Sequence, residues 1–96
     1  MKGISDQTAV VTVVGQDTFG IIAKVSHLLY QNQVNIKDIS QTIMQDEIFT
    51  MIMVVDLSRS IVDIKVLSEQ LEELGRQMQL SILLQHGGLF NAMHRI

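Results

Sequence analysis

The sequence predicts an α+β domain with the order strand, helix, strand, strand, helix, strand, on three observations. Residues 8–14 and 47–57 are dense in β-branched and other apolar residues, as buried strands are. Residues 19–33 and 64–78 instead repeat apolar side chains every three or four positions, the period of one helical face. Each helical stretch stands between two strand stretches, so right-handed crossovers fold the chain into a four-stranded antiparallel sheet with both helices on one face. At 96 residues, 47% apolar and without Pro, the chain reads as one unit over 1–96, with its core in 8–86 and a C-terminal tail over 87–96.

The first strand, Thr8-Ala9-Val10-Val11-Thr12-Val13-Val14, ends at Gly15. A polar turn, Gln16-Asp17-Thr18, leads into the first helix, where Ile21, Ile22, Val25, Leu28 and Leu29 mark the apolar face. The second strand spans 35–44. Its apolar alternation slips once between Ile36 and Ile39, which predicts a bulged, more exposed strand. Gln45-Asp46 makes a hairpin turn into the third strand, 47–57, whose two faces are both apolar: Phe49, Met51, Met53, Val55 and Leu57 on one, Ile48, Ile52 and Val54 with Thr50 on the other. Ser60 is read as the cap of the second helix, with Asp63 in the capping-box position. Ile64, Leu67, Leu71, Leu74 and Met78 form its buried stripe, and Gly75 beside that stripe predicts close approach to the sheet. The last strand spans 80–85. Beyond Gly87-Gly88, Leu89, Phe90, Met93 and Ile96 have helical spacing in a tail too short to be helical unless it packs on something.

A sheet with helices on one side leaves its other side bare, and here strands one and three are apolar on both sides. A second copy of the chain, or the tail, is expected to cover that side, since large exposed apolar patches are rare in monomers.

The chemistry is first narrowed by exclusion. A net charge of -3 and a pI near 5.4 provide no basic surface for phosphates, so direct nucleic-acid or membrane partners are not expected. The absence of Cys removes disulfides, thiolate nucleophiles and thiolate metal sites, which fits a reducing cytoplasm, and no apolar run resembles a signal peptide or a membrane span. The loop after strand one lacks the thiolates of a metal carrier, the Arg of an acylphosphatase-like site and the Lys-Ser/Thr of a P-loop. RNA recognition would need more than the single central aromatic Phe49. His27, His86 and His94 stand apart in sequence, and Ser26-His27 are helix neighbours whose side chains diverge by about 100°, so no catalytic or metal-binding set is expected, and no cofactor.

What remains is the junction of the first strand and helix. Gly15-Gln16-Asp17-Thr18-Phe19-Gly20-Ile21, followed by Val34-Asn35-Ile36 and Ile39-Ser40-Gln41, resembles ACT domains, the amino-acid-sensing modules of metabolic regulation. Over about residues 8–96 the chain is similar to small free-standing ACT proteins related to the glycine cleavage system repressor. The resemblance implies a ferredoxin-like βαββαβ fold, a regulatory role without catalysis, and a ligand site between subunits of a homodimer or larger homo-oligomer. The residues of the loop agree with such a site. Gly20 lets a ligand approach the chain, free N–H groups at the helix start suit an α-carboxylate, and Asp17 or Asn35 can face an ammonium group. Ile21, Ile36 and Ile39 are then expected to line the side-chain pocket. Phe19 replaces a smaller, Pro or basic residue of many relatives and is expected to fill part of it. Capping of the helix is an equal reading of Asp17. The competing expectation for the whole chain is an ACT-shaped module that dimerises and docks on a metabolic or transcriptional regulator without a free ligand.

Overall fold

A computed structural model describes residues 7–87. Residues 88–96, and with them the expectation that a tail packs over the sheet, lie outside the described residues. The chain forms β1 (Thr8–Gln16), α1 (Ile21–Gln31), β2 (Asn35–Ile43), β3 (Ile48–Asp56), α2 (Ile64–Met78) and β4 (Leu80–His86). The sheet is antiparallel throughout, in the order β2-β3-β1-β4. This is the expected ferredoxin-like βαββαβ arrangement.

Register decides which side chains share a face. Val11 pairs with Met53 and Leu84, and Val13 with Met51 and Ile82, so these point together toward the helices. Val25 and Leu29 of α1 and Leu67 and Leu71 of α2 close over them, all fully buried. Burying each such side chain is worth about 1.5–3 kcal/mol, the term that holds helix to sheet. Gly75 sits where α2 crosses β4: a Cβ there would lie 2.7 Å from the Leu80 carbonyl oxygen.

On the face turned away from the helices, β1 and β3 carry apolar side chains as expected, among Thr12, Thr50 and Ser81, while β2 presents Asp38, Ser40 and Thr42. Val14 (39% exposed), Ile52 (39%) and Leu83 (50%) lie on it near the half-buried Val54, while Val10 in the same row is fully buried. The slip in the second strand is a register shift between Ile36 and Asp38, and β2 beyond it is exposed on both faces, including Ile39 and Ile43 on the helix side.

Several boundaries differ from the sequence reading. β1 continues through Gly15 to Gln16, because both residues still pair with β3. α1 covers Ile21–Gln31 and not 19–33: Gly20 adopts φ 85°, which no helical residue can, and Gln33 turns out at φ 60° after Asn32 closes the helix. The cap of α2 is Asp63, whose carboxylate accepts from the Val66 N–H at 2.9 Å; the Ser60 hydroxyl instead bonds both the N–H and the carbonyl of Val62 in the preceding loop. β4 extends one residue further, to His86, which pairs with Ala9.

Candidate functional site

The two helices start differently, and the difference places the site. α2 begins on a carboxylate cap. α1 begins on Gly20 in the left-handed conformation, with no side-chain cap and no acidic residue in its first turn. The Lys24 N–H makes the first helical bond, to the Gly20 carbonyl at 2.9 Å. The N–H groups of Ile21, Ile22 and Ala23 precede it, so they point out of the helix end and carry the positive end of its dipole.

These donors border a depression of about 260 Å³. Asp17 and Thr18 form one side, Ile21 and Ile22 another, and Gln41 and Ile43 of β2 the third, over the buried ring of Phe49. The loop is held in place by the Asp17 N–H, which donates to the Glu47 carbonyl at 3.0 Å and ties it to the β2–β3 turn. Chemically the depression offers backbone donors for an anion, one carboxylate for a cation, and an apolar floor. Two broader grooves, about 520 and 530 Å³, run along the outer sides of α1 and α2 and share Leu28 and Gln31. Neither contains Asp17 or Gly20, so neither joins the carboxylate to the start of α1.

Of the residues singled out from the sequence, the structure brings Asp17, Gly20 and Ile21 together here. Phe19 is 99% exposed and does not line the depression, so it fills nothing. Gly20 is explained by its backbone: φ 85° favours glycine with or without a ligand. Capping does not explain Asp17, since α1 has no side-chain cap. Asn35 and Ile36 lie at the opposite end of β2, roughly 25 Å of strand away, paired with Asp56 and Val55. Ile39 lies mid-strand opposite Met53 on the helix side, whereas Asn35 shares the other face with Asp56. Gln41, Ile43 and Phe49 were missed. Counting by twos along β2 from Ile39 gives the first two, and they pair with Met51 and Phe49.

The Ser26 hydroxyl donates to the Ile22 and Ala23 carbonyls, at 2.7 and 3.2 Å, so it is committed to its own helix and not aimed at His27. Among the described residues no three His, Asp or Glu side chains gather as a metal site, and no helix is long and apolar enough to cross a membrane.

Comparison with known proteins adds four findings. A family model described as ACT domain matches residues 7–85. A UPF0237 protein of Clostridium acetobutylicum is 50% identical over 88 residues, 92% of this chain and 98% of that protein. An ACT domain protein from Streptococcus pneumoniae superposes with a TM-score of 0.77 at 38% identity, over 90% of this chain and 96% of that one. The structure of a candidate glycine cleavage system transcriptional repressor matches with a TM-score of 0.72 at 30% identity, over 82% of this chain but 44% of its own.

Proposed function

This chain belongs to the ACT domain family, and on that premise we propose that it is a cytoplasmic regulatory protein that binds a free amino acid at the start of α1 and works as a homodimer, without catalysis. One observation carries the reading: a helix N-terminus with no cap of its own opens into a depression that also contains a carboxylate. The N–H groups of Ile21, Ile22 and Ala23 receive the α-carboxylate, Asp17 receives the ammonium group, and Ile21, Ile43 and Phe49 take an apolar side chain. The depression is open toward the β2 edge, where Ile22, Ile39 and Ile43 are 39–52% exposed.

A second copy laid antiparallel along β2 supports this reading in two ways. It pairs the free N–H and C=O groups of an exposed edge strand. In a register that pairs Ile43 with the Ile36 or Ile39 of a partner subunit, it also continues the apolar wall that one chain leaves unfinished. Only an edge contact does this, since a copy stacked on the helix-free face lies across the sheet from the depression. Asn35 of the same chain faces away from the helices and does not line this depression.

Titration calorimetry against the twenty amino acids tests the proposal. Saturable heat is expected with one or a few apolar members at micromolar to millimolar concentration, reduced by Asp17→Asn. No heat with any of them at about 10 mM, a concentration that detects even millimolar binding, contradicts it and favours a module that docks on a protein partner.

A further inference from the structure

We propose that residues 88–96 turn back over the helix-free face of the sheet as a short amphipathic helix and are what covers it, which leaves the β2 edge as the open side of the molecule. The observation behind this is a gradient of burial. Thr8, Val10, Thr12 and Val14 form the row of β1 that points away from the helices. Thr8 and Val10 are buried, Val10 completely, and Thr12 is half-buried. Val14 at the far end, with Ile52 and Leu83 opposite Thr12, stays 39–50% exposed. Val10 has Val54 and Gln85 as its cross-strand partners. Such neighbours lie beside a side chain and not above it, so Val10 is covered from outside the sheet, and within a single chain.

The buried end of the row is the end at which the chain leaves β4. His86 pairs with Ala9, and Gly87, the next residue, is buried and already has helical backbone. The residues that follow carry the matching pattern. At about 100° per residue, Leu89, Phe90, Met93 and Ile96 fall within about a third of a helical circumference, with Asn91, His94 and Arg95 on the opposite side. Nine helical residues extend about 13 Å, which is also about the length of β1 from Val10 to Val14. The apolar stripe therefore reaches from Val10 past Leu83 and Ile52 toward Val14, next to the loop that leads into α1. A helix this short does not stand alone in water, so the segment and the face require each other. Residues 1–6 enter the sheet at the same end, but Met1 and Ile4 give them no comparable stripe. A second copy stacked on this face would leave unexplained why Val10 is buried in one chain.

The proposal does not depend on the site at the start of α1. Methyl NMR of the full chain tests it, with labelled and unlabelled chains mixed so that contacts within and between chains are told apart. Nuclear Overhauser contacts are expected from the Phe90 ring and the Met93 methyl to Val10 and Leu83, all within one chain. Phe90→Asp is expected to abolish them and to raise several-fold the relaxation of the Val10 methyls by a soluble paramagnetic chelate. Asn91→Asp, on the polar side, should change neither, and the amide shifts of α1 and β3 confirm that both variants fold. The proposal is overturned if residues 88–96 make no contact with Val10 or Leu83, if residues 1–6 make those contacts instead, or if Phe90→Asp leaves Val10 as protected as before. Contacts between chains also overturn it, because they place a second copy on this face.

Discussion

Gly20 and Gly75 each lack a side chain for a different physical reason, and substitution separates the two. A Cβ on Gly20 meets nothing within 4 Å, so Gly20→Ala encounters only the left-handed backbone and is expected to cost about 1–2 kcal/mol. Gly20→Asn should cost less, because Asn tolerates that conformation. At Gly75 the backbone is helical and Ala would be the better helix former, but its Cβ would press on the Leu80 carbonyl. The strain of about 1–3 kcal/mol outweighs the gain in propensity, so Gly75→Ala lowers Tm in spite of it. The reason for Gly75 is legible in the sequence, because it sits beside a buried stripe. The reason for Gly20 was legible only in part: two glycines around a polar turn show that a turn is there, not which one carries positive φ. Asp56 supplies a pH test. Its pKa is depressed, first by the Ser58 N–H and then by the Ser58 hydroxyl, so this contribution to stability is present above the carboxylate range and disappears as pH falls through it. Ser58→Ala is expected to raise the Asp56 pKa part of the way back toward 3.8, as read by NMR titration, because the larger cause, the backbone N–H, remains.

At the scale of the element, helix ends distinguish α1 from α2. Removing the α2 cap with Asp63→Ala is expected to lower stability by about 1 kcal/mol, whereas Ser60→Ala, which loses bonds only within the loop, should cost less; chemical denaturation measures both. The sequence offered Ser60 and Asp63 three residues apart, both good caps, and nothing in the pattern says where the chain turns into the helix. Periodicity was more informative where many residues vote together. Leu67 and Leu71 of the α2 stripe are fully buried, and the one slip in the alternation of β2 located its bulge. A single cap or turn residue has no such redundancy, which is why the α1 limits shifted by two residues at each end while its buried face stood.

The whole molecule sets the limit of what was readable. Asp17, Gly20 and Ile21 are adjacent in sequence, and local geometry alone brings them together. Asn35 and Ile36 were grouped with them on resemblance, but strand order and register put them at the other end of β2. Sheet register is a property of the assembled fold, so alternation could assign faces to these residues without assigning ends. The same arrangement gives β2 a long exposed edge, and a dimer through that edge is expected to be weakened about tenfold or more by Ile39→Lys, which buries an unpaired charge in the interface; sedimentation of wild type and variant compares them. Leu83→Lys, on the helix-free face, should leave that dimer intact. The measurement that bears most directly on the central claim is a native mass spectrum of the protein with and without the amino acid that calorimetry selects. The account predicts a particle of two chains that gains up to two equivalents of ligand, one for each α1 start. A lone chain that takes up none at about 1 mM, where a specific site of ordinary affinity fills, would contradict it.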